Sequence, residues 1–130
     1  MSEDELRKVV GKALKAAHTT WIEAPVVGSG FPDLEFCLNG TVGQIELKVT
    51  GPRGRIKIRN TQYRWFKDRT KAGGWSHFMW IYHDGKHHLV EGQCVEGLNH
   101  ASQLPAACVQ GCIYEDPALV VKFLLWKLNV

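Results

Sequence analysis

Gly30-Phe31-Pro32-Asp33-Leu34-Glu35-Phe36-Cys37-Leu38-Asn39-Gly40-Thr41-Val42-Gly43-Gln44-Ile45-Glu46-Leu47-Lys48 is the stretch on which the reading of this chain turns. Leu34 to Leu38 alternates apolar with polar, and so does Val42 to Val49. Asn39-Gly40 between them is a strong hairpin signal, because both central residues of a type I′ turn need positive φ. Opposed residues of an antiparallel pair point to the same face. A two-residue turn pairs Asp33 with Glu46, whereas a four-residue loop pairs Asp33 with Lys48. Either register puts Asp33, Glu46 and Lys48 on one face, because Glu46 and Lys48 lie two apart. Leu34, Phe36, Leu38, Ile45, Leu47 and Val49 then form the opposite, apolar face.

Two carboxylates opposed across a hairpin lie about 5 Å apart at Cβ. They repel unless a cation sits between them. A hard divalent ion takes a few carboxylate oxygens and completes its shell with water and phosphate. Such an ion polarises a phosphodiester and lowers the pKa of a bound water. A neighbouring lysine can orient that water or offset charge building on the phosphate. The residues therefore admit a metal-dependent phosphodiesterase centre. They also admit an amphipathic hairpin with a solvated charged face.

Pro32-Asp33 followed by Glu46-x-Lys48 resembles the signature of the PD-(D/E)xK nuclease superfamily. Gly30-x-Pro32-Asp33, Ile45-Glu46-Leu47-Lys48 and a downstream Gln62 opening a helix are similar to its VRR-NUC (virus-type replication-repair nuclease) branch. The resemblance extends from residue 2 to about residue 82 and is patchy between motifs. It implies a restriction-endonuclease-like αβββαβ core and a Mg²⁺- or Mn²⁺-dependent endonuclease acting on duplex or branched DNA. Asp33 and Glu46 would hold the metal, Lys48 would aid the attacking water, and Gln62 would assist. The resemblance also implies an acid near the start of the first helix. Glu5 is the best match, with Glu3 and Asp4 as alternatives. A phage or bacterial genome-maintenance role follows by analogy.

At 130 residues, one domain spanning residues 1–130 is expected. No apolar run is long enough for a bilayer span and no signal peptide is evident. The four cysteines lack the density of a disulfide scaffold and fit reduced thiols in a cytoplasm, the host's if the chain is phage-encoded. Net charge is only +3, but its distribution is uneven. Nine Lys or Arg fall between Lys48 and Lys71 against a single acid, Asp68. Arg53, Arg55, Lys57, Arg59, Arg64 and Lys67 supply the footprint expected of a phosphate-backbone partner. Arg55, Lys57 and Arg59 share one face if that segment is extended.

Ser2 to Ala17 carries the 3.6 period of an amphipathic helix in Leu6, Val9, Val10, Ala13, Leu14 and Ala17, and Ser2 with Glu5 forms a capping-box pattern. That pattern gives Glu5 a structural role beside the one implied by the resemblance. Thr19 to Val27, interrupted by Pro25, reads as an edge-type strand. Asn60 or Thr61 caps a helix that Gly73-Gly74 ends. Trp75 to Tyr82 reads as a buried strand, and His83-Asp84-Gly85-Lys86 as a hairpin turn leading into a strand from His87 to Glu91. His83, His87 and His88 lack metal-ligand spacing and read as surface or hairpin residues. Cys94, His100, Cys108 and Cys112 make a poor zinc site, with no Cys-x2-Cys element. Asp116-Pro117 opens a helix that is apolar nearly all round to Leu128, which points to a subunit interface and a homodimer. The predicted fold is thus α/β, a mixed sheet flanked by helices, with an added hairpin and a C-terminal helix. Two rivals stand beside the structure-directed nuclease. One is a sequence-specific restriction- or homing-type enzyme, and the other a catalytically inactive nucleic-acid-binding module.

Overall fold

A computed structural model of the chain describes residues 1–22, 29–99 and 113–129. The element order is α1 (Glu3–Ala13), β1 (His18–Trp21), β2 (Leu34–Leu38), β3 (Thr41–Val49), α2 (Asn60–Lys71), β4 (His77–His83), β5 (Lys86–Glu91), α3 (Val95–Asn99), β6 (Ile113–Tyr114) and α4 (Pro117–Leu128). The strands form one mixed sheet in the order β1-β2-β3-β4-β5-β6. Among the described residues only β3 and β4 pair in parallel, and α2 is the crossover between them. The fold is α/β, with helices on both faces of the sheet.

The hairpin takes the shorter of its two admissible registers. Leu38 pairs with Thr41 and Leu34 with Ile45, so Asp33, just before β2, stands opposite Glu46. Asn39 and Gly40 both have positive φ, as a type I′ turn requires. One sheet face sends Leu34, Phe36, Ile45, Leu47 and Trp80 into a core covered by α1 and α4. Leu6, Val10 and Leu14 dock α1 there. Each is essentially fully buried and contributes roughly 2 kcal/mol by leaving water. The other face carries Met79, Ile81 and Val90 against Phe66 of α2 and Val95 and Leu98 of α3. Glu46 and Lys48 project on this second face, beside Met79 and Ile81 of the parallel neighbour.

Several sequence expectations are adjusted. The first helix stops at Ala13 rather than Ala17, because the chain must turn into β1. Leu14, the residue that caps it, still packs in the core, and Ala17 packs against that core while closing a tight turn onto the Leu14 carbonyl. Arg55 to Arg59 is not a strand, yet the alternation holds: Ile56 and Ile58 pack on the second core while Arg55, Lys57 and Arg59 are exposed. His87 and His88 are buried, contrary to a surface reading, because β5 has strands on both sides and helices on both faces. His87 accepts a hydrogen bond from the Trp80 indole at 3.0 Å. The helix α4 buries only Val120, Leu124 and Leu128, leaving Leu119 and Trp126 exposed, the latter at 74%. Pro25, Val26, Val27, His100, Cys108 and Cys112 lie outside the described residues. Among the described residues no helix is long and apolar enough to cross a membrane.

Gly30 joins the hairpin to α2. Its φ is +71°, and a Cβ there would overlap the Thr61 carbonyl and approach the Gln62 nitrogen to 2.9 Å. The backbone before Asp33 therefore rests directly on the first turn of α2. Gly30→Ala should lower stability by about 3 kcal/mol, from left-handed strain plus displacement of that turn. Urea unfolding checks this, with Gly40→Ala as the comparison, since Gly40 has positive φ but no neighbour within 4 Å. An equal loss at both positions would show that the contact with α2 contributes nothing.

Candidate active site

The hairpin register places the Asp33 and Glu46 side chains face to face. Asp33 Oδ2 accepts the Leu47 backbone N–H at 2.8 Å, which pins its carboxylate against β3. Glu46 is 3% exposed. Burial, and then the adjoining Asp33 charge, raise its pKa from 4.5 to about 8; a hydrogen bond to Asp33 and the charge of Glu3 act in the same direction, while Lys48 opposes them. Near neutral pH Glu46 accordingly keeps its proton.

Gln62, in the first turn of α2, is the keystone of the polar cluster. Its Oε1 accepts from the Lys48 ammonium at 2.9 Å and from the Arg59 backbone N–H at 3.0 Å. Both partners are obligate donors, so the amide has one orientation. Nε2 then donates to Glu46 Oε2 at 3.0 Å. Lys48 also donates to the Lys57 carbonyl at 2.8 Å and lies 3.8 Å from Glu46 Oε2. Gln62 and Lys48 are buried, at 4% and 8% exposure. Three elements are tied together here: β3, the segment after it, and the start of α2.

These groups line a cleft of about 310 Å³, formed by Glu3, Asp33, Glu46, Lys48, Val49, Lys57, Arg59 and Gln62. The structure thus brings together Asp33, Glu46, Lys48 and Gln62 from the sequence-derived set. Glu5 does not join them. Its carboxylate accepts from the Ser2 backbone N–H and hydroxyl, and Ser2 Oγ accepts from the Glu5 N–H, which completes the capping box. Glu3 is the helix acid at the cleft. The two lie on different sides of α1, and the capping pattern that marks Glu5 was the signal that it is occupied elsewhere. Of the cations, Lys57 and Arg59 reach the cleft. Arg53 and Arg55 are exposed on the loop before α2, Arg64 lines a separate cleft on α2, and Lys67 faces the groove between α2 and the turn after β5.

Asp33 and Glu46 suit a hard divalent cation: two carboxyl groups already short of one compensating charge, with room on the open side for water and phosphate oxygens. No cluster of three metal-ligating side chains occurs among the described residues. A magnesium-type site needs only one or two protein carboxylates, so the donor set remains adequate. No protein-family model matches the chain, and no curated protein matches it.

The raised pKa of Glu46 carries a stability consequence. The folded chain holds this proton more tightly than the unfolded chain, so the associated stability is complete below pH 4.5 and lost as pH rises through about 8. Glu46→Gln is neutral at every pH and can still accept from Gln62. Thermal melts in EDTA should show the variant level with wild type at pH 4.5 and several degrees more stable at pH 8.5. A constant difference across this range would mean that Glu46 carries no displaced titration.

Proposed function

We propose that this chain is a metal-dependent endodeoxyribonuclease with a PD-(D/E)xK centre, structure-directed or weakly sequence-specific in its choice of DNA. The observation that carries this reading is the opposition of Asp33 to Glu46, with Lys48 on the same strand face and Gln62 bonded to both Glu46 and Lys48. The order α1-β1-β2-β3-α2-β4 agrees with the restriction-endonuclease-like core that the motif implies. Under this reading Asp33 and Glu46 hold Mg²⁺ or Mn²⁺, with Glu3 rather than Glu5 as the nearby helix acid. The bound ion would supply Lewis acidity and lower the pKa of the attacking water. Lys48, fixed by the Lys57 carbonyl and the Gln62 amide, keeps an ammonium beside the reacting phosphate, where negative charge builds. Lys57 and Arg59 at the cleft rim bind flanking phosphates, and Arg53 and Arg55 extend that contact, giving salt-sensitive binding with little base readout.

A homodimer belongs to the same proposal. The exposed Leu119 and Trp126 of α4 offer an apolar face for a second copy, which suits cutting both strands of a duplex or junction.

A nicking assay with Mg²⁺ or Mn²⁺ on linear, flap, four-way-junction and single-stranded DNA tests the reading. Wild type should cut at least one substrate only when the ion is present. Glu46→Ala and Lys48→Ala should each reduce the rate by 10² or more, in line with the loss of an electrostatic catalytic group. Activity should rise with pH toward 8 as the Glu46 proton becomes easier to displace. Metal-loaded wild type that binds DNA but cuts none of the panel makes the chain a binding module. Sedimentation at the assay concentration checks the dimer, which a monomeric profile excludes.

A further inference from the structure

A second cleft, of about 350 Å³, lies beside the carboxylate site and has no part in holding the proposed ion. It runs between α2 and the segment entering the hairpin, and is lined by Ser29, Thr61, Arg64, Trp65, Asp68 and Arg69. Its position relative to the carboxylates follows from chain adjacency. Thr61 faces this cleft while Gln62, the next residue, bonds to Glu46. Gly30, whose backbone rests on the Thr61 carbonyl, follows Ser29 of this cleft, and Asp33 of the carboxylate site comes three residues after Gly30.

The lining combines two chemistries. The Arg69 guanidinium lies over the Trp65 indole, 4.7 Å from the ring centroid. Phe31 meets the same indole edge-on at 5.3 Å, and both rings are half-buried. The cation–π contact holds the guanidinium beside the ring, and a guanidinium N–H fork is suited to a phosphate. Arg64 adds a second guanidinium. Among the described residues neither arginine enters an ion pair, with Asp68 or any other acid. Among the described residues that line it, two arginines face one acid, Asp68. His77 behind Trp65 registers the nearby cation: burial first, and then the Arg69 charge, lower its pKa. An indole beside two guanidinium groups in a concave site meets the requirements for one nucleotide of a single strand, its base against Trp65 and its phosphate on Arg64 and Arg69. A duplex keeps its base faces stacked inside and offers only phosphates and groove edges, so it cannot lay a base on the Trp65 ring.

We infer that the cleft between α2 and residues 29–31 takes an unpaired nucleotide of the nucleic acid, so that substrates with a single-stranded tail beside the cut bond are preferred. The inference deepens the nuclease reading and rests on its nucleic-acid partner, but not on catalysis.

The test is binding by fluorescence anisotropy in EDTA, where no cleavage occurs. The probes are a blunt duplex and the same duplex with a single-stranded extension. Wild type should bind the tailed duplex roughly tenfold more tightly or better. Arg64→Gln with Arg69→Gln should remove that advantage while changing blunt-duplex affinity by less than about threefold, as expected for loss of one phosphate contact at moderate salt. Arg64→Gln alone, which disturbs no ring contact, should remove part of the advantage and guards against a folding defect. Equal affinity of wild type for the two probes overturns the inference. So does an equal weakening of both probes in the variants, which would make these arginines part of a general basic face. Tail preference without cleavage would sink the catalytic reading alone, and cleavage without tail preference would sink the cleft alone.

Discussion

Two carboxyl groups facing each other across a β-hairpin repel, and burying one of them sharpens the conflict. Asp33 and Glu46 are held in that relation by a turn with no slack. Asn39-Gly40 fixes the register, and the Leu47 N–H holds the Asp33 carboxylate in place. Apolar packing of Leu34, Ile45 and Leu47 on the opposite face keeps β2 and β3 from slipping, because a one-residue shift would turn every core side chain outward. The cost of the unfavourable pair is thus borne by the hydrophobic core behind it. Such a pair accepts a proton or a cation, and Glu46 shows the first response in its raised pKa.

Around this pair the buried polar groups bond to one another. The Gln62 amide joins a carboxyl group, an ammonium and a backbone N–H, so α2 cannot drift from β3 without leaving buried polar atoms unsatisfied. Gly30 works toward the same end from the opposite strand, since only a residue without a side chain lets the hairpin entry rest on Thr61. The basic segment is positioned by the same bonds. The Lys57 carbonyl that receives Lys48 brings the Lys57 and Arg59 side chains to the cleft rim.

The sequence was informative where local rules have few solutions. Period-two alternation around Asn39-Gly40 left two registers that agreed on which residues share a face, and Ile56 and Ile58 kept their alternation without forming a strand. It was less informative where a residue's role depends on distant backbone. Gln62 sits in a helix of mostly polar residues and has no local mark of burial, and only the resemblance drew attention to it. The choice between Glu3 and Glu5 turns on how α1 is rotated against the sheet, which the apolar stripe defines only coarsely. His87 and His88 read as surface residues because polar side chains in a short strand usually are. β6 pairs along both histidines and α4 packs on β5, contacts made by residues far along the chain.

A divalent cation held as proposed between Asp33 and Glu46 would displace the Glu46 proton. Carbon NMR of the Glu46 side-chain carboxyl, followed through a pH titration with and without Mg²⁺, tests it most directly. Without the ion the carboxyl should titrate near 8, and with saturating Mg²⁺ it should remain ionised to well below neutral pH. A midpoint near 4.5 in the absence of metal, or a midpoint near 8 that Mg²⁺ does not move, would contradict the account.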